Sequence, residues 1–404
     1  MKPMGPIPPY FAGQDVLTIA GRSADDWVVQ GGSPLFVYDV GIVAERLRHL
    51  RSALPREVEI HFAMKANPLP AMVAAVAPLV GGLDVASGGE LAQALKVKDA
   101  AHISFAGPGK RDTELEAAIR AGATLNLESE GEAERALNIG ERLGITPRLA
   151  VRVNPSFELK GSGMKMGGRP SPFGVDAARV PDLVRRIIDA GADWRGFHIF
   201  AGSQALDSEA ICETQAATVM LGKELAEKVG VVPPLVNLGG GFGIPYFAGD
   251  TPVDIAMVGE RLAGQLQGAW KAESYAIELG RWIVGECGVY LTRVIDRKVS
   301  GDETFLICDG GLHHQLAASG NFGTVVRRNY PLAVAGRMGA AAEETVSVVG
   351  PLCTPLDRLG DKVALPRAEV GDVIAVFLAG AYGASASPAA FLGHGPAGEI
   401  VAGG

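Results

Sequence analysis

Val58-Glu-Ile-His-Phe-Ala63-Met-Lys65-Ala-Asn67 is a short, apolar-rich run that stops at a lysine and an asparagine. Its apolar core, residues 58–63, has the length and composition of a buried strand. Seven further runs of this kind follow, at residues 82–85, 103–105, 125–127, 149–153, 196–199, 235–238 and 275–278. Between them lie Ala-, Leu- and Glu-rich stretches such as 89–97, 114–121 and 130–143, with apolar residues at helical spacing. Strands alternating with helices are the sequence form of βα units on a parallel sheet. Eight units predict a closed (β/α)8 TIM barrel.

In such barrels the reactive groups stand at the C-terminal ends of the strands, where the loops converge on one mouth. Lys65 follows the first run, Asp84 ends the second, Arg152 and Asn154 close the fifth, and residues 198–204 follow the sixth. Gly239-Gly240-Gly241 follows the seventh, and Glu278 with Arg281 follows the eighth. Polar and glycine-rich clusters therefore fall where a barrel places its active site.

After residue 288 the texture changes to alternating strands separated by Gly, Asp and Asn turns, at 290–295, 304–308, 345–349 and 373–378. This predicts an antiparallel β domain over 288–404, with the barrel at 38–287. Residues 1–37, including Leu17-Thr-Ile-Ala20, together with the strand that begins Leu35-Phe-Val-Tyr38, are expected to join the second domain.

A chain of 404 residues exceeds one compact core, which agrees with two domains. Hydrophobic residues make up 48% and charged residues 20%, the composition of a globular protein with a large core. A formal net charge of -8 and the lack of a long Lys/Arg run exclude a nucleic-acid backbone binder and a basic membrane-surface protein. Cys212, Cys287, Cys308 and Cys353 are scattered without C-x-x-C spacing, so neither a metal site nor a disulfide framework is expected. Reduced thiols suit a cytoplasm. The N-terminal Met-Lys-Pro-Met-Gly-Pro lacks a signal-peptide core, and no apolar stretch reaches spanning length.

The apolar company of Lys65 predicts a desolvated lysine, which is a ready Schiff-base amine, although the segment alone reads equally as a surface lysine at a strand end. Three consecutive glycines at 239–241 let backbone N–H groups approach a phosphate, and Gly202-Ser203 offers a hydroxyl from the preceding unit. Each alone is also a plain flexible turn. Glu278-Leu-Gly-Arg281 places a carboxylate and a guanidinium on one strand end, suited to a protonated pyridine nitrogen and a phosphate, or to a structural ion pair.

Phe62-Ala-Met-Lys65-Ala-Asn67, Asp84-Val-Ala-Ser-Gly-Gly-Glu90-Leu91, Gly202-Ser203-Gln204, Gly239-Gly-Gly-Phe-Gly243, Glu278-Leu-Gly-Arg281, Gly350-Pro-Leu-Cys353 and Gly380-Ala-Tyr382 together resemble the fold-type III pyridoxal-phosphate decarboxylases. That group includes the diaminopimelate, ornithine and arginine decarboxylases. The likeness runs from about residue 35 onward in the family's order. It is closest to the exosortase-system-associated decarboxylases, with a looser similarity to decarboxylases of carrier-protein-bound amino acids. The resemblance implies an alanine racemase-like barrel, pyridoxal 5'-phosphate on Lys65 as a Schiff base, and cofactor contacts from Asp84, Phe200, Ser203, Gly239, Gly240, Gly241, Glu278, Arg281 and Tyr382. It further implies Cys353 as a proton donor contributed by the second subunit of a homodimer.

Two departures from the family's pattern bear on substrate. The family usually stacks a histidine of His-x-Gly-Ser on the cofactor ring, whereas His198-Ile-Phe200-Ala-Gly-Ser203 puts Phe200 there and leaves His198 a structural role. Members that bind a diamine carry an acid directly after the cysteine, and here that residue is Thr354. An unpaired buried ammonium would cost several kcal/mol. The expectation is therefore a decarboxylase of an L-amino acid or a carrier-bound aminoacyl conjugate without a distal ammonium. Diaminopimelate decarboxylase is the first rival, a racemase or a non-catalytic cofactor binder the next. Asp309 and the Arg327-Arg328-Asn-Tyr330 segment lie near the family's substrate contacts, and residues 161–168 read as a lid or a surface loop.

Overall fold

The computed structural model describes residues 1–161, 163–165, 168, 170–268, 270–320 and 328–404. Ser162, Met166 and Gly167 of the expected lid and Arg327 lie outside them. The chain divides into two compact units, one of residues 46–243 with 252–280, the other of 1–45, 244–251 and 281–404. The sequence reading put the barrel at 38–287; the division instead falls inside helix Val40–Ala53 and at the Gly280-Arg281 peptide. Residues 244–251, inserted after the seventh strand, belong to the second unit.

The first unit is the barrel. Its strands are β1 (Val58–Ala63), β2 (Gly82–Val85), β3 (Ile103–Phe105), β4 (Thr124–Leu127), β5 (Arg148–Asn154), β6 (Asp193–Ile199), β7 (Leu235–Gly240) and β8 (Ser274–Leu279). All pair in parallel in chain order, β8 pairs β1, and β4–β5 completes the ring. Register is pinned by burial: Ile60 and Phe62 of β1 are shielded, and truncation of Phe62 to alanine would cost about 3–5 kcal/mol. The helices between strands show their sequence signals. Ser129 caps Glu130–Leu143 by accepting from Glu132 N, Ala133, Ala136 and Leu137 face the core, and Gly144 at φ 66° ends the helix in the left-handed region.

The barrel interior departs from the usual filling of Val, Ile and Leu layers. Glu59 and His61 on β1, Thr124 and Asn126 on β4, and Arg148 on β5 line a cavity within it.

The second unit is β-rich, but its sheet is mixed where an antiparallel one was expected. Glu303–Cys308 runs parallel to Glu344–Val349, a pairing that a tight hairpin could not make. Gly398–Ala402 runs parallel to Leu35–Asp39. The expected N-terminal strand is present, since Leu35–Asp39 also pairs antiparallel with Gly288–Ser300. Among the described residues no helix is long and apolar enough to cross a membrane.

Candidate active site

Lys65 sits in a single 3-10 turn, Met64–Ala66, at the end of β1. Met64 and Ala66 are buried while the lysine itself is exposed. The expected desolvation is thus corrected: the strand end anchors its apolar neighbours inward and turns the amine outward. Lys65 Nζ lies 5.7 Å from the centroid of the Phe200 ring, so the residue predicted to stack faces the same mouth as the lysine.

Glu278, near the end of β8, is buried, and its two oxygens have different partners. Oε1 is 3.0 Å from His198 Nε2, within ion-pair distance but outside hydrogen-bond angles. Oε2 accepts a hydrogen bond from Asn237 Nδ2 at 3.3 Å. Burial opposes the charge, but His198, Lys65 and Arg152 outweigh it and hold Glu278 well below the usual carboxylate range. The group is therefore a carboxylate at neutral pH. His198, expected to be structural, braces it.

Asn237 also accepts from Gly239 N at 2.8 Å, tying the glycine loop to the carboxylate. The glycines themselves answer to packing as well as to any ligand. A Cβ on Gly240 would lie 1.8 Å from Glu278 O, and one on Gly241, at φ 81°, 2.1 Å from Gly202 O. Ala205 N donates to Gly241 O at 2.9 Å, so the two loops predicted to take phosphate, 202–203 and 239–241, run side by side.

Behind the mouth is a buried ionic network. Arg152 Nη1 donates to Glu128 Oε1 at 2.8 Å, and Glu128 also accepts from Gly107 N at 2.6 Å and Gly174 N at 2.8 Å. Lys110 Nζ donates to Glu132 Oε1 at 2.6 Å with both side chains almost fully enclosed. Sequence reading noted Arg152 but missed Glu128, Glu132, Lys110 and Asn237. For Asn237 the signal was a polar residue inside the apolar run of β7; Glu128, Glu132 and Lys110 lie beyond the strands, on a loop or helix. Asp84 is buried, neither carboxylate oxygen hydrogen-bonds within the described residues, and its nearest cation is His61 Nδ1 at 3.6 Å.

The remaining predicted residues belong to the second unit. Arg281 Nη1 donates to Tyr246 OH at 2.8 Å, and its guanidinium lies 4.6 Å from the Tyr382 ring centroid. Burial opposes the charge on Arg281, but the surrounding tyrosines hold its value up. Tyr382 adopts φ 54°, a left-handed conformation that costs a non-glycine residue about 1–2 kcal/mol. Asp309 Oδ1 accepts from Thr292 Oγ1, Arg293 N and Ser33 Oγ, which makes it a brace within the sheet. Cys353 is exposed, whereas Cys212, Cys287 and Cys308 are buried. Thr354 is half-buried in the same turn, whose shape Asp357 sets by accepting from Leu312 N and Leu352 N.

These residues fit pyridoxal phosphate. An outward amine lies beside an aromatic ring, a buried ionised carboxylate stands on the neighbouring strand, and two glycine-bearing loops lie together. Residues 40–285 match the family model described as the pyridoxal binding domain of pyridoxal-dependent decarboxylases. The chain is 37% identical to the L-glutamyl-[BtrI acyl-carrier protein] decarboxylase of Niallia circulans, over 90% of this chain and 87% of that one. It is 30% identical to the 2-[(L-alanin-3-ylcarbamoyl)methyl]-2-hydroxybutanedioate decarboxylase of Staphylococcus aureus, over 89% and 91%. The crystal structure of Helicobacter pylori diaminopimelate decarboxylase complexed with L-lysine superposes with a TM-score of 0.80 at 27% identity, over 90% of each chain. By sequence, fold and the chemistry of its barrel mouth, this chain belongs to the pyridoxal-dependent decarboxylases.

Proposed function

We propose that the enzyme removes the α-carboxylate of an L-aminoacyl conjugate, in the first instance one tethered to a carrier protein, and releases CO2 and an amine. The observation that carries this reading is the 37% identity, over 90% of the chain, to a decarboxylase of a carrier-bound glutamyl group. Thr354 supports it, because the position after Cys353 offers no carboxylate to a distal ammonium.

Bound pyridoxal phosphate supplies the sink for the electron pair left when CO2 departs. Lys65 is the attachment point for that cofactor. Glu278, held ionised, would keep a proton on the pyridine nitrogen and so deepen the sink. Asn237 fixes the carboxylate's orientation by holding Oε2. Phe200 would cover the ring; Ser203, Gly239, Gly240, Gly241, Arg281 and Tyr382 would take the phosphate; Asp84 would contribute from β2. Cys353, from the second copy in a homodimer, returns a proton to the substrate carbon. The compartment proposed is the cytoplasm.

The test is CO2 release from a panel of free amino acids and the same amino acids loaded on a carrier protein, with Lys65→Ala as the blank. Turnover confined to conjugates is the expected result. Diaminopimelate turned over as efficiently as the best conjugate would sink the reading and favour the diaminopimelate decarboxylase that the solved relative represents. Thr354→Glu sharpens the point, since restoring an acid there should introduce diaminopimelate turnover.

A further inference from the structure

The cavity of about 240 Å3 inside the barrel opens at the N-terminal ends of the strands, opposite to Lys65. Its lining includes His61, His102, Asn126, Arg148, Arg195 and Ser274. The volume falls below the roughly 300–1,000 Å3 of drug-sized sites, so it suits a small molecule.

Charge is unevenly paired there. Arg148, the first residue of β5, and Arg195, on β6, approach a single carboxylate, Asp193. Arg148 Nε stands 3.6 Å from Asp193 Oδ2 and Arg195 Nη1 stands 3.5 Å from Oδ1. Arg148 Nε is buried and makes no hydrogen bond among the described residues, while its Nη1 donates to Gly122 O at 3.2 Å. Burial and the charge of Arg195 both lower the value of Arg148, the signature of two guanidiniums sharing too little counter-charge. Glu59, the one carboxylate in the lining, is committed to His61 Nε2 at 3.3 Å. Buried Asn126, whose amide donates to Ser104 Oγ at 2.6 Å, completes a wall able to bond a polar guest.

A polar pocket whose two guanidiniums share Asp193, and whose own carboxylate Glu59 is paired with His61, is complementary to an anion, and guanidinium forks match carboxylate and phosphate oxygens in particular. We infer that the barrel floor is a binding site for a small oxyanion, a phosphate or a short carboxylate, held between Arg148 and Arg195. Asn237, which holds Glu278, also lines the cavity, but the two arginines stand at the opposite end of the strands from Lys65, and the inference does not depend on which conjugate reacts at the mouth. His61 connects the two ends, since its other ring nitrogen faces Asp84.

The test uses the holoenzyme, in which the cofactor already fills the phosphate position at the mouth. Calorimetric titrations with inorganic phosphate and with succinate should show at least one of them binding saturably, one per chain, without loss of the cofactor's visible absorbance. Arg195→Gln, at a position one-third exposed and therefore tolerant, should weaken that binding about tenfold or more, while Arg195→Lys retains most of it. No saturable binding of either anion, equal binding to Arg195→Gln, or binding that displaces the cofactor would each overturn the inference.

Discussion

The two ends of the barrel are made by the same strands and treat charge in opposite ways. Toward the mouth, among the described residues, the buried Lys110 and Arg152 each have their own carboxylate, Glu132 and Glu128, and Glu278 is set between His198 and Asn237. At the floor two arginines share one carboxylate. Paired charges hold a geometry fixed, which a site for bond-breaking needs before substrate arrives. Shared charges leave donors open, which is a property of a surface still to be occupied. One strand pattern can thus yield a preorganised end and a receptive one.

That contrast can be broken most sharply at the mouth. Lys65→Ala should reduce CO2 release to background and abolish the visible absorbance of the bound cofactor. Glu278→Gln removes the charge but keeps the shape, so kcat should fall by on the order of 100-fold with cofactor still bound. Steady-state kinetics on the loaded enzyme would check it. Lys110→Met leaves Glu132 buried without its cation and should cost about 3–5 kcal/mol in urea unfolding, measured on the same footing as the wild type.

Between the ends stands His61, and pH probes it. Burial would lower its value, but Asp84 and Glu59 raise it from 6.5 to about 10. A histidine whose folded value is raised contributes stability that is complete below pH 6.5 and is lost as pH rises through about 10. The wild type should therefore lose unfolding free energy over that window, and His61→Gln should flatten the loss; an unchanged slope would dismiss the pairing. Ser274→Ala, at the floor, removes one hydrogen bond to Pro234 O and should cost only about 0.5–1.5 kcal/mol in the same unfolding assay.

Much of this was legible in the residues. β1, β2 and β3 begin and end where the apolar runs do, because turn residues flank them closely. β6 starts earlier than its apolar run, at Asp193, since Trp194 and its polar neighbours extend the pairing with β5 past a bulge. Lys65 and Glu278 were findable because their motifs are local. Asn237 was not, because its importance lies in bridging two atoms that the chain brings together only on folding. The exposure of Lys65 escaped for a related reason: apolar neighbours in sequence say nothing of which way a turn points one side chain. The mixed sheet was invisible as well, since alternation marks a strand but not the direction of its partner.

The pairing of Leu35–Asp39 with both Gly288–Ser300 and Gly398–Ala402 carries a consequence for biosynthesis. At about 5–20 residues per second, this early apolar strand waits on the order of tens of seconds for its first partner to be translated. Throughout that interval Leu35-Phe-Val-Tyr38 presents an unpaired edge on the nascent chain. A holdase that shields the emerging segment, or slower growth at reduced temperature, would be expected to raise the yield of soluble enzyme more than any stabilising change within the barrel.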